Sequence, residues 1–306
     1  MSAGWVAAAV RSRAMARRRL GPVDARALAA SGSLSRAVEL LVASPYDQRE
    51  RSADPAAAAH GIAATLLWNL RVLAGWQPAT GADALRRLAG WFEIANVDEH
   101  LQALCDEPAE PPFQLGTLAT AWPRLAATGS RDALRGALTA SPWGDPGGTA
   151  PREIQMAMRM RWAERVADGV ESARPWAAGA TALLVASEQL ASGRPLPAAA
   201  AASAGRIIGR AAVAAASLAE LHATLPRAAR WVLDGTTDPA ELWTAEVRWW
   251  RRVGIDGARM LGGSRYRPDR SVGAAALLAA DARLARAALE CATHPDGDLA
   301  VFDAVA

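Results

Sequence analysis

The chain has 306 residues, 51% of them hydrophobic, with 34 basic against 31 acidic side chains; this allows a large buried core and excludes a disordered chain. Its basic residues, four histidines aside, are all Arg, so Schiff-base chemistry and a Walker A lysine are excluded. A net charge of +3 argues for a mixed surface and against a nucleic-acid-binding stripe.

The elements read as helices in chain order, because Ala, Leu and Arg dominate and β-branched runs are scarce. The opening stretch places an apolar run before the basic triplet Arg17, Arg18 and Arg19, the reverse of a signal peptide. Gly32-Ser33 then begins a helix that ends on Ser44-Pro45-Tyr46, and Asp54-Pro55 begins a long one carrying Trp68-x-x-Arg71-Val72. A third helix follows from Ala84. The pattern returns with Gly129-Ser130, Ser141-Pro142-Trp143, Ala150-Pro151 and Trp162-x-x-Arg165-Val166, then a helix from Ala182. It returns again with Ser217, Trp231, Asp238-Pro239 and Trp249-x-x-Arg252-Val253, then a helix from Ala276. Pro suits the first helical turn, which has no use for its missing amide proton, and Asp or Thr before it can cap the helix for about 1 kcal/mol. The intervals between these landmarks match, which predicts internal repeats at about 1–111, 112–205 and 206–306 within a single domain. Pro/Gly clusters at 106–112, 141–151, 193–197 and 262–269 mark the breaks.

Within each Trp-x-x-Arg-Val, Trp and Val lie four apart on one helix face and Arg near its edge. This predicts Trp and Val packed between helices, with Arg paired to a carboxylate or covering an indole. The twelve Trp read as core fillers replacing scarce Phe and Tyr, and Met156, Met158 and Met160 as gap-filling core. Cys105 and Cys291 read as ordinary buried thiols in a reducing compartment. No stretch reaches the length of a membrane span; Pro195 to Leu221 comes closest, interrupted by Arg206 and Arg210.

Catalytic and metal motifs are not found: there is no Gly-x-Gly-x-x-Gly, no His-Glu-x-x-His and no Gly-x-Ser-x-Gly. Glu93, Asp98, Glu99 and His100 form the densest polar cluster, but Asp98 and Glu99 read as charging the start of a helix over 97–104. The basic runs at 17–19 and 248–252 read as solvated helix faces.

Three stretches resemble a known family. They are the opening through Tyr46, the helix at 65–76 with Leu66, Leu67, Asn69, Leu70 and Arg71, and the last long helix at 273–292 with Asp281, Arg283 and Arg286. Together they resemble the C-type (in eukaryotes, d-type) central-stalk subunits of V/A-type ATPases. The chain departs from that family in being short, in lacking Lys, and in having Leu66-Leu67-Trp68 where an acidic residue often precedes the Asn-Leu motif. The resemblance implies an all-α fold of three related helical bundles in a funnel-like arrangement. It implies a non-catalytic central-stalk subunit, without cofactor or metal, coupling the central shaft to the membrane proteolipid ring. Such a protein would be cytoplasmic and peripheral to the membrane, held there by protein partners and not by nucleic acid. Polar, separable contacts suit Arg, so Arg17, Arg18, Arg19, Arg71, Arg165 and Arg252 are the candidate interface. Two other readings stand beside it: a helical-repeat scaffold unrelated to rotary motors, and an all-helical enzyme with a site around Glu93, Asp98 and His100.

Overall fold

Strong helix formers fill the chain, and the computed structural model, which describes residues 3–46, 54–263, 268–294 and 299–306, is all-α, with no strand among the described residues. In order, the helices are α1 (Ala3–Ala16), α2 (Gly21–Ala29), α3 (Leu34–Val42), α4 (Pro55–Gly75), α5 (Ala79–Ala103), α6 (Trp122–Leu125), α7 (Arg131–Thr139) and α8 (Pro151–Gly169). There follow α9 (Arg174–Val185), continued by a π-helical turn at Ala186–Ala191, then α10 (Ala198–Ile208), α11 (Arg210–Val213), α12 (Leu218–Thr224) and α13 (Arg227–Arg230). The chain closes with α14 (Leu242–Gly262), α15 (Asp269–Thr293) and α16 (Leu299–Val305).

Contacts divide the chain into two units, Met1–Ala82 with Trp250–Ala306, and Asp83–Trp249. Both boundaries fall inside helices, α5 and α14, and the repeat boundaries near residues 111 and 205 both lie within the second unit.

In the first unit, Leu28, Leu41, Ile62, Ala285 and Leu289 bring α2, α3, α4 and α15 together, with Tyr46 and Phe302 at the margin. In the second, α8 is buried on two faces, as a helix with an apolar stripe on each side must be. Met158 and Ile154 enter a cluster with Ile94, Leu134 and Leu138. Met156 and Met160 enter another with Val185, Ile208 and Leu221. The gap-filling role expected of these methionines is what they perform.

Helix starts follow local chemistry. The Ser33, Ser130 and Ser217 hydroxyls each accept the amide three residues on, from Arg36, Ala133 and Glu220, at 3.3, 3.2 and 3.2 Å. Ser44 and Ser141 form the same turn: each hydroxyl donates to the carbonyl three residues back at 2.7 Å and accepts the amide of the aromatic two residues on at 3.1 Å. Asp54 caps α4 through the amides of Ala56 and Ala57, and Asp238 accepts from Ala240. Thr149 does not cap α8; Glu153 reaches back to the Ala150 amide at 3.1 Å instead. The helix expected to start near 97 does not exist, because α5 runs unbroken from Ala79 to Ala103.

In the first unit, the end of α14 meets the start of α15 almost backbone to backbone. A Cβ on Gly273 would stand 2.6 Å from the Gly257 carbonyl oxygen and 2.8 Å from Met260 Cβ. A Cβ on Gly257 would stand 3.0 Å from the Gly273 oxygen. A backbone carbonyl in a helix cannot swing aside as a side chain can. Gly273→Ala is therefore expected to destabilise by about 1–3 kcal/mol, read as a lower urea midpoint. Gly136→Ala, in exposed helix with nothing within 4 Å, should instead gain up to about 1 kcal/mol. Equal effects at the two positions would refute the close-approach account.

Candidate functional site

The polar cluster at 93–100 does not converge on one point. Glu93 is fully buried and committed to the hydrogen bonds described below. Asp98 pairs with Arg159 at 2.7 Å, Glu99 accepts the Glu110 amide, and His100 Nε2 meets Thr128 Oγ1 at 2.9 Å. Burial lifts the Asp98 carboxyl above the usual carboxylate range in spite of the Arg159 charge. Among the described residues no group of three or more His, Cys, Asp or Glu side chains could hold a metal ion. Cys105, expected to be buried, is exposed, because it lies in the surface turn just after α5; Cys291 is half-buried.

Two buried carboxyls organise their surroundings in the same way. Glu93, on α5, accepts the amides of Thr120 and Ala121, the latter at 2.7 Å, and the indole N–H of Trp143 at 2.7 Å. Asp281, on α15, accepts the amides of Leu20 and Gly21, both at 2.8 Å, and the hydroxyl of Tyr46 at 2.8 Å. In both cases the amides open a short helix, α6 or α2, that has Pro in its first turn and no side-chain cap of its own. A helix N-terminus presents unpaired amides and partial positive charge, so a carboxyl from a distant helix satisfies both needs. The aromatic donor is in both cases the last residue of Ser-Pro-aromatic. Burial raises the Tyr46 hydroxyl pKa well above its usual value, reinforced by the Asp281 charge, so this group stays a donor.

The Trp-x-x-Arg-Val motifs have diverged around a shared slot. Trp162 lies against Gly90 of α5, its Cδ1 at 3.0 Å from where a Cβ would be, and donates to the Arg87 carbonyl at 2.9 Å. Trp249 lies against Gly179 of α9 at the same 3.0 Å and donates to the Trp176 carbonyl at 2.8 Å. The accepting residue is three before the glycine each time. Glu93 follows Gly90 by three residues; Ala182 follows Gly179 by three; Asp281 follows Leu278 by three. So α5 carries both glycine slot and carboxyl, α9 the slot alone, and α15 the carboxyl alone. Leu278 is buried, and Trp68 is 51% exposed. Gly90 of α5 and Gly179 of α9 thus hold the same place relative to the Trp of these motifs. Treating every Trp as core filler fits Trp143 and Trp176 but not Trp68, Trp76, Trp91 or Trp243, which are 47–52% exposed.

The candidate interface arginines are not equivalent. Arg17, Arg18 and Arg19 are exposed just past α1, and Arg71 is exposed on α4. Arg165 is half-buried, its guanidinium 4.9 Å from the Trp143 ring centroid; burial, with the Arg87 charge, lowers its pKa. It covers an indole as expected, though not the one in its own motif. Arg252 is exposed and pairs with Asp256 at 2.8 Å.

A groove of about 300 Å³ lies in the second unit, lined by Arg152, Gln155, Met156 and Arg159 of α8, Leu184 and Glu188, and Arg194. Its cations are already met: Arg152 and Arg194 by Glu188 at 2.8 and 3.3 Å, Arg159 by Asp98. Elsewhere on α8, Glu164 binds Arg206 of α10 and Arg161. Burial works against its ionisation, but hydrogen bonds from Arg206 and Ser203 and the two guanidinium charges outweigh that and lower its pKa.

The chain matches no protein-family model and no curated protein. Among the described residues no helix is long and apolar enough to cross a membrane.

Replacing Glu93 by Gln sets an amide N–H₂ against N–H donors, and should cost about 2–3 kcal/mol; Trp143→Phe, which deletes one donor, about 1–2 kcal/mol. Urea melts followed by circular dichroism would measure both, and losses below a few tenths would contradict the structural role. Glu164 should stabilise above its usual pKa of 4.5 and lose that contribution as pH falls through its lower folded value. Glu164→Gln is therefore expected to lose about 1 kcal/mol at pH 7, a figure discounted because Arg206 is half exposed, and to converge with the parent protein once the pH falls below the lowered folded value.

Proposed function

We propose that this protein is a non-catalytic helical coupling component, and specifically that it acts in the central stalk of a rotary V/A-type ATPase, joining the shaft to the proteolipid ring. The observation that carries the reading is the reuse of one device: a carboxyl on a long helix, capping a short helix and holding the aromatic of a Ser-Pro-aromatic turn. A protein that transmits force needs its helices locked to one another, and close-packed, hydrogen-bonded interiors deform little. The buried carboxyls of Glu93 and Asp281 are taken up by these structural hydrogen bonds. The three-bundle funnel belongs to this proposal, as does peripheral attachment to a membrane through protein partners. The resemblance in the opening stretch, at 65–76 and at 273–292 supports it.

A helical scaffold that grips partner proteins outside any motor is the second reading, favoured by the half-exposed Trp68, Trp76 and Trp243. Affinity purification of the tagged protein from native membranes, with the bound proteins identified by mass spectrometry, separates the two. Ring or shaft proteins in stoichiometric amount are expected for the coupling role, and other soluble proteins for the scaffold. Nucleotide turnover by the purified chain that disappears on Glu93→Gln or His100→Ala, with the fold intact, would overturn both.

A further inference from the structure

In the first unit, α1 packs beside α4. Arg11 of α1 lies over the Trp76 ring, 4.6 Å from its centroid. On α1 the exposed stripe includes Val6, Val10 and Arg13, at helical spacing, with Arg17 and Arg18 in the turn just beyond; Val10 is 63% exposed. On α4 it is Trp68, Arg71 and Gly75, with Trp76 the residue that follows. Neither Ala3–Ala16 nor Pro55–Gly75 contains an Asp or Glu, so the charge of this face is uncompensated by its own helices. The two packed helices and the turn after α1 thus contribute the exposed Arg13, Arg17, Arg18 and Arg71 and two half-exposed indoles.

We infer that this face docks an acidic, amphipathic helical segment of a protein partner. Trp and Arg are the residue types that most often carry binding energy at protein interfaces, and guanidinium groups pair bidentately with carboxylates. Trp68 and Trp76 are eight residues apart, so their rings address sites about 12 Å apart along the helix. A partner helix would meet them with apolar side chains two turns apart and turn its Asp or Glu residues toward the arginines. A membrane surface suits the face less well. Both rings are about half covered, Trp76 by Arg11, whereas interfacial anchoring sinks apolar groups about 5–10 Å into the headgroup boundary. The inference rests on the reading of the chain as a holder of protein partners, but not on its place in a motor.

The test uses the full chain and two fluorescein-labelled helical peptides of about 20 residues. Both carry Leu at the same two-turn spacing; one has Glu on its polar face, the other Lys. Fluorescence anisotropy should show at least about tenfold tighter binding of the Glu peptide, weakening several-fold as salt screens the charges. Arg13→Glu combined with Arg17→Glu and Arg71→Glu should weaken it by about tenfold or more, and Trp68→Ala with Trp76→Ala by a similar factor. These positions are exposed, and unchanged thermal melts would verify that the variants fold. Equal binding of the two peptides, or binding indifferent to both sets of variants, overturns the inference. So does tight binding to phosphatidylglycerol vesicles without binding of the Glu peptide, which would make the face a membrane contact. Failure to recover ring or shaft proteins would leave peptide binding intact, so the two proposals fail separately.

Discussion

A carboxyl delivered by one long helix to the bare N-terminus of a short one is the interaction on which both units depend. Without Asp281, the Leu20 and Gly21 amides and the Tyr46 hydroxyl would be buried or half-buried donors with no acceptor; without Glu93, the same holds for Thr120, Ala121 and the Trp143 indole. Unsatisfied donors of this kind each cost about 1–3 kcal/mol, comparable with much of the net stability of a small domain. The carboxyl also sets register. It lets a helix near one end of the chain find its place beside one near the other end, because the other two carboxyls of α15, Asp269 and Glu290, lie toward its ends.

That arrangement explains how an Ala-rich chain attains a defined core. Alanine buries little surface and interdigitates weakly, so many sliding arrangements of Ala-rich helices have similar packing energies. Specific polar pairs and large rings remove the degeneracy. The indoles of Trp162 and Trp249 rest on glycines and bond to helix carbonyls, and Arg206 ties α10 to α8 through Glu164. Arg165 over Trp143 adds a cation held against an aromatic face, with desolvation lowering its pKa.

What could be read from the sequence was whatever is local. Ser33, Ser130, Ser217, Asp54 and Asp238 cap their helices with amides two or three residues away, so a short motif contains the whole interaction. Met158 and Met160 are buried because their helix is apolar on more than one side. The polar nodes were less accessible. Glu93 stood out as an acid in a dense polar stretch, but two of its partners are backbone amides, which leave no signature in residue type. Trp68 shares its motif with Trp162 and Trp249, yet is 51% exposed, and nothing within the motif itself marks the difference. The continuity of α5 through residues 97–103 reflects core contacts of Val97 and Leu101, which outweigh the start signal that Asp98 and Glu99 suggest.

The glycine slots bear on how such a chain can change over generations. An indole seated on Gly90 or Gly179 needs the missing side chain, and the groove left by that glycine needs the indole to fill it. A lineage losing Trp162 inherits a hole beside Gly90, whereas one gaining bulk at residue 90 evicts the ring. The two sites are therefore expected to vary as a pair. Trp68 carries the same motif with no such glycine slot beneath it among the described residues, and its ring is half exposed and open to other uses.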